Sequence, residues 1–249
     1  MLLTDQQVKK YANEGFLSPL PVADASVANN WREQFDEIER SEGKEKSQVG
    51  LHDRHFDQKF IWEIATSARI LDAVESIIGP NVMLLASQFF CKYGQGTKFV
   101  AWHQDVTYWG LEPPEAITAW CAIDRSDHEN GCMMAIPGSH SNGIHEHGKS
   151  ETDGNLLSIN QEVPVTTEDE ARSQDIVLEA GEMSLHHGML VHSSQPNVSS
   201  RRRCGLVMRY TVPSVRQERP NSIGARYRAI LVRGTDDHQH YGNSPTPTF

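Results

Sequence analysis

The sequence predicts an α+β protein with a mainly β core, on three observations. Apolar residues in the first 80 positions recur at helical spacing, as in Val27, Trp31, Phe35 and Ile38. Beyond Pro80 the pattern changes to short apolar runs punctuated by Gly, Pro, Asn and Asp, the signature of a sandwich or barrel. Helices first and strands afterwards place the helices against one face of that β core.

The elements follow in order. Thr4 precedes DQQVKKYANE, where its hydroxyl can cap a helix while Gln7 completes a capping box, and Gly15 ends the helix. Asp24 through Arg40 is a second helical stretch. Residues 41–58 are polar and are expected to form a loop. Short helices are expected near 59–65 and 67–78, the latter stopping at Gly79-Pro80. The strand-like runs are VMLLASQFFCKY, TKFVAWHQD, AITAWCAID, GCMMAIP, DIVLEA, EMSLHHGMLVHS and RCGLVMRYTVP. Residues 141–175 are polar and acidic, an insertion between strands and a candidate lid. The 249 residues suit a single domain, with 1–80 as mainly helical support, 81–215 as the β core and 216–249 as a C-terminal extension.

Composition excludes several classes. A formal net charge of −10 argues against a nucleic-acid partner. No apolar run approaches the ~20 residues that span a bilayer, and the N-terminus lacks the basic and apolar regions of a signal peptide. Cys91, Cys121, Cys132 and Cys204 form no CxxC pair, and three of them sit in apolar runs as reduced, buried thiols would. The expectation is a cytoplasmic protein acting on a small molecule.

The stretch WHQDVTYWGL carries the chemistry. His103 and Asp105 are two apart, so a strand would point both to one face. A histidine cluster follows in LHHGMLVHSSQPN, where His186, His187 and His192 compete for a shared role. Arg203 lies in SSRRRCGLVMRY. Two imidazoles and one carboxylate can hold one face of an octahedral metal and leave three positions open, the arrangement of non-heme Fe(II) oxygenases.

These segments carry a resemblance. WHQD at 102–105, NGCMMAIPGSH at 130–140, GEMSLHHGMLVHSSQPN at 181–197 and the arginine run ending at Arg203 resemble the phytanoyl-CoA dioxygenase (PhyH) family of Fe(II)/2-oxoglutarate-dependent oxygenases. The likeness spans most of 80–212 and fits the N-terminal helices more loosely. It implies a double-stranded β-helix, the cupin-like jelly roll, with Fe(II), 2-oxoglutarate and O2 as cofactor and co-substrates. In that family the distal histidine precedes the arginine that binds 2-oxoglutarate by about eleven residues, and Arg203 follows His192 by eleven. The resemblance therefore selects His103, Asp105 and His192 as metal ligands and Arg203 as the anchor of the co-substrate's far carboxylate.

It further implies Ser194, Gln104 and Trp120 in the co-substrate pocket, with Gln88 and Lys92 contacting the co-substrate from the preceding strand. Gln104 would point away from its two neighbours by strand alternation, so its contact requires the strand to end at or just after His103. Tyr108 and Trp109 lie just past the ligands and are candidate substrate walls. Nine arginines fall between 201 and 233, and Arg209, Arg216 and Arg226 are the candidates for an anionic substrate. His186 and His187 are expected to be hydrogen-bonded structural residues, and His52 and His55 to lie in a solvated loop. Halogenating relatives replace the ligand carboxylate by Ala or Gly; Asp105 favours hydroxylation. Two other readings stand beside this one. The chain could be a non-catalytic cupin-like metal or small-acid binding or sensor protein. It could also be a zinc hydrolase, which shares the ligand types but has no role for the arginine.

Overall fold

In the computed structural model, residues 2–150, 152–242 and 244–249 are described. In chain order the N-terminal part comprises α1 (Asp5–Glu14), β1 (Phe16–Pro21), α2 (Ala25–Glu42), α3 (Lys44–Val49), α4 (Lys59–Ala65) and α5 (Ala68–Ile78). Thr4 caps α1 in a full capping box with Gln7, and Gly15 closes it at φ 81°, a left-handed conformation that a side chain would resist. Asp24 caps α2 through the Val27 N–H. Two regions depart from the expectation. The segment read as a loop contains α3 and a 3-10 turn at Arg54–Phe56, both too short to establish a helical period. The strand β1 lies inside the region read as helical. Its prolines lack N–H donors, and it occupies a sheet edge, where that deficit is tolerated.

The remaining strands are β2 (Val82–Lys92), β3 (Val100–His103), β4 (Leu111–Glu112), β5 (Ile117–Ala122), β6 (Met133–Ala135), β7 (Gly148–Lys149), β8 (Gln161–Glu162), β9 (Gln174–Ile176), β10 (Glu182–His187), β11 (His192–Ser194), β12 (Arg203–Thr211), β13 (Arg216–Gln217) and β14 (Ile230–Arg233), with α6 (Thr167–Ala171) before β9. Six form the major sheet in the order β1-β10-β5-β12-β2-β14, and four form the minor sheet β3-β11-β6-β9. All pairings within the two are antiparallel. Phe16, Trp120 and Val207 of the major sheet pack with Met133, Ala135 and Ile176 of the minor one. The two sheets thus face each other, as in a jelly roll. The C-terminal extension contributes β14, an edge strand paired with β2.

Period-two alternation divides the major sheet into two faces. Phe89 and Cys91 of β2, Ile117, Ala119 and Cys121 of β5, Met183 and Leu185 of β10, and Cys204, Leu206 and Met208 of β12 pack with Phe35, Ile61, Ile64 and Ile70 of the helices. Phe35 and Phe89 meet with ring centroids 4.7 Å apart. The opposite face carries Gln88, Thr118, Trp120, His186, Arg203, Val207 and Arg209 into a cavity between the sheets. The apolar face anchors the sheet to the helices and leaves the second face free for chemistry. All four cysteines are buried free thiols. Among the described residues no helix is long and apolar enough to cross a membrane.

Candidate metal centre and co-substrate pocket

The three expected ligands converge. β3 ends at His103 and a 3-10 turn begins at Asp105, so the ladder breaks between them. His192 opens β11 and is the cross-strand partner of His103, which brings the rings to 4.1 Å between centroids. The ligand atoms of His103, Asp105 and His192 lie within 4.8 Å of one another. Each histidine directs Nδ1 to a backbone carbonyl two residues earlier, His103 to Ala101 and His192 to Leu190, both at 2.9 Å. Those bonds place the Nδ1 proton toward the chain and leave Nε2 as the free lone pair. Burial, with the neighbouring imidazoles, holds His192 well below the ordinary histidine pKa, so it is neutral at pH 7. Burial alone would raise the Asp105 carboxyl. The imidazoles around it and the Arg209 guanidinium outweigh that and hold it well below the usual range. A neutral His192, an ionised Asp105 and the Nε2 of His103 beside them make a donor set that suits a divalent iron.

Asp105 has further neighbours that sequence reasoning missed. Its Oδ1 is 3.6 Å from His103 Nε2, while Oδ2 accepts from the Thr118 hydroxyl at 3.2 Å and lies 3.7 Å from His186 Nε2. His186 is 1% exposed, lines the cavity, and has no hydrogen-bond partner on either ring nitrogen among the described residues. It was expected to be a hydrogen-bonded structural residue, and the structure corrects this. The signal was available, since Leu185 belongs to the helix-facing core and alternation turns His186 to the other face. His187 does take a structural place, accepting at Nδ1 from the Met189 N–H at 3.0 Å.

Arg203 lies at the other end of the cavity. It is 3% exposed and stacks over Trp120 at 4.6 Å. Its Nε donates to Ser126 Oγ at 3.4 Å, and it has no carboxylate partner among the described residues. Burial lowers its pKa to about 10, which still leaves it charged at neutral pH. A buried guanidinium without a counter-ion is costly unless an anion completes it. The Trp120 indole reaches it across Gly205, where an added Cβ would stand 2.0 Å from the ring. Gly205 therefore makes room for the indole. The donor set of His103, Asp105 and His192 would hold a metal that the oxoacid end of 2-oxoglutarate can chelate, and the Arg203 guanidinium fits its far carboxylate.

The other expected residues divide. Ser194, Gln88, Tyr108, Trp109, Arg209 and Arg226 line the cavity. Gln104 does not. It is fully buried, its amide donating to the Gly143 and Met189 carbonyls and accepting from the His145 N–H, so it has no donor left for a co-substrate carboxylate. Lys92 lies behind the wall, and its ammonium donates to Ser194 Oγ at 2.5 Å and to the carbonyls of Ser194 and Gln195. It braces Ser194 and makes no contact with the cavity. Arg216 is exposed on β13, pairs with Glu218 and stands outside the cavity. His52 is exposed, as a solvated loop would leave it, and it also bridges to Gln88 and lines the cavity. His55 is fully buried, with Nδ1 at 2.8 Å from Ser87 Oγ.

A jelly roll with a buried two-histidine, one-carboxylate cluster beside an unpaired arginine defines the class of non-heme iron and 2-oxoacid proteins. Comparison with known proteins identifies the branch. The phytanoyl-CoA dioxygenase (PhyH) family profile matches residues 2–205, and the chain belongs to that family. It is 26% identical over 219 residues to human peroxisomal phytanoyl-CoA dioxygenase, covering 79% of this chain and 64% of that protein. It is 28% identical over 147 residues to a probable alpha-ketoglutarate-dependent hypophosphite dioxygenase of Stutzerimonas stutzeri, covering 59% and 51% respectively. The chain thus spans just under two thirds of the human relative's length. Among solved structures it superposes on the non-heme monooxygenase ThoJ in apo form with a TM-score of 0.79 at 26% identity, covering 97% and 88% of the two chains. CytC3 with Fe(II) and alpha-ketoglutarate gives 0.70 at 23%, covering 96% and 92%, and supports the fold.

Proposed function

We propose that this protein is a non-heme Fe(II)/2-oxoglutarate-dependent dioxygenase that hydroxylates an unactivated C–H of a small polar or anionic metabolite, releasing succinate and CO2. The observation that carries the reading is the joint opening of the His103, Asp105, His192 cluster and the unpaired Arg203 on one cavity. Iron, when bound, supplies the redox chemistry that couples decarboxylation of the oxoacid to oxidation of the substrate by O2.

The chain's own residues position and exclude. His103 and His192 present Nε2 in fixed orientation because their Nδ1 atoms are spent on the backbone. Thr118 and His186 stand on Asp105 Oδ2 and leave Oδ1 toward the metal side. Arg203 takes the far carboxylate in a charge-assisted contact, over the Trp120 face and beside Ser194. Tyr108 and Trp109 wall the substrate side, and Leu156, Leu157 and Ser158 from the 141–175 insertion cover it. A cavity of about 240 Å3 suits a small substrate. The test is anaerobic binding of 2-oxoglutarate. Retention should require both Fe(II) and Arg203. Retention that is equal without metal, or in Arg203→Ala, would defeat the reading. Binding without any succinate across a broad substrate panel would favour a sensor protein instead.

A further inference from the structure

We propose that Arg209 is the anchor for a compact anionic group on the substrate, a carboxylate or an oxyanion of phosphorus, held toward the end of the cavity away from Arg203. This rests on the oxygenase reading above and names the substrate class of that same site. Four observations support it.

The first is placement. Arg203 and Arg209 are six residues apart on β12 and both line the cavity, so they stand toward its two ends with Gly205 and Val207 between them. Cross-strand register puts Arg209 opposite Thr118, and Thr118 opposite His186. His186, Thr118 and Arg209 therefore form one row across the sheet, with neighbouring strands about 4.8 Å apart. Thr118 is bonded to Asp105, so Arg209 lies one strand from a residue that touches a metal ligand. An anion held there would lie on the same row of the sheet as the two side chains that flank Asp105.

The second is preorganisation. Gln88 Oε1 accepts from both terminal nitrogens of Arg209 at 3.3 Å. Gln88 is itself oriented by donating Nε2 to the Val49 carbonyl at 2.9 Å. Trp109 lies under the guanidinium at 4.9 Å. An acceptor shared by the two terminal nitrogens and an indole face under the guanidinium fix the plane of the fork before any ligand arrives.

The third is unspent capacity. A guanidinium has five N–H donors. The Nε of Arg209 is buried with no partner, and no carboxylate lies within ion-pair distance among the described residues. Asp53, the remaining acidic wall residue, is 45% exposed and accepts from the Ser87 N–H. Arg226 is exposed and spends a nitrogen on the Gln217 carbonyl, which suits a guide at the mouth rather than an anchor.

The fourth is charge balance. Asp105, a divalent metal, a dicarboxylate and Arg203 together sum to zero. Arg209 then leaves one positive charge uncompensated in a half-closed cavity, and a substrate anion balances it.

The test uses protein loaded anaerobically with Fe(II) and saturating 2-oxoglutarate, so that the Arg203 site is filled. Methylphosphonate and acetate are titrated calorimetrically, beside their uncharged counterparts dimethyl methylphosphonate and acetamide. The charged probes should bind and the neutral ones should not. Arg209→Gln should weaken the charged probe by about tenfold to a hundredfold, the loss of one charge-assisted contact, with the melting temperature checked to show the variant is folded. The stronger of the two anions assigns the headgroup. Equal binding of charged and neutral probes, absence of anion binding to the wild type, or unchanged affinity in Arg209→Gln would overturn the proposal. Loss of anion binding on addition of 2-oxoglutarate would also overturn it, since the anion would then be sitting at Arg203. Failure to retain 2-oxoglutarate in the loading step counts against the oxygenase reading alone. The anion arm is then run on metal-free protein, where the same dependence on Arg209 is expected.

Discussion

Arg203 is a buried cation that touches an indole face and a hydroxyl and, among the described residues, nothing of opposite charge. Arg203→Ala should raise the apparent KM for 2-oxoglutarate by about tenfold to a hundredfold while leaving Fe(II) affinity nearly unchanged, because the contact removed is a charge-assisted one remote from the ligands. Kinetics over a range of 2-oxoglutarate, with metal titration alongside, separates the two constants. Asp105→Gly should abolish hydroxylation, and wild-type turnover in that variant would show that Asp105 is not a ligand. Gly205 offers a further test. A Cβ there meets the Trp120 ring at 2.0 Å, so Gly205→Val should cost about 1–3 kcal/mol by overpacking and displace the indole from Arg203. Denaturant unfolding reads the first effect and 2-oxoglutarate KM the second. A silent Gly205→Val would mean that the indole is free to move.

At the scale of elements, the strand ends do most of the positioning. β3 stops at His103 and the turn at Asp105 swings the carboxylate back to its neighbour, while β11 begins with His192 directly opposite. Lys92 ties β2 to the chain after β11 through three acceptors at Ser194 and Gln195. Lys92→Met preserves length but strands those acceptors, and should destabilise by about 1–3 kcal/mol. It should also weaken 2-oxoglutarate binding through the loss of Ser194 placement. Equilibrium unfolding and the KM together check this, and an unchanged KM would make the brace purely structural.

The same elements explain what could be read from residues alone. His103 and Asp105 were legible from strand alternation, because two hydrophilic groups on one face of an apolar strand need a partner. The choice of His192 among three histidines, and the places of Arg203, Ser194 and Trp120, came from the family resemblance of the surrounding motifs. Gln104 and Lys92 were misplaced because their polar atoms are consumed by backbone groups far away in sequence, at Gly143, Met189 and Ser194. Such partners carry no local signal. β1 and β14 escaped for another reason. They are edge strands, one proline-bearing and one half-exposed, whose pairing is decided by the sheet they join.

At the scale of the whole molecule, loss of solvent around several histidines lowers their pKa. His187 is pushed down to about 4 by burial and the neighbouring imidazoles of His140 and His186. Burial also lowers His52, His55, His147 and His192. The sign follows from linkage. The folded state takes these protons less readily than the unfolded chain, so unfolding takes up protons. The stability is present in full above about pH 6.5, the ordinary histidine value, and is lost progressively as pH falls toward 4. The depressed carboxyl of Asp105 extends the loss below the usual carboxylate range. Melting of the metal-free protein should therefore fall steadily between about pH 6.5 and 4. A flat profile there would mean that these imidazoles are already protonated or solvated in the fold.

The most direct measurement of the central claim is formation of succinate from 2-oxoglutarate by the purified protein with Fe(II) and O2, in the presence of a broad panel of small anionic and polar substrates. The account expects succinate that requires iron, oxygen and 2-oxoglutarate together, is stimulated by at least one panel member, and disappears in Asp105→Gly. Absence of succinate under every condition, or succinate that persists in Asp105→Gly at the wild-type rate, would contradict it.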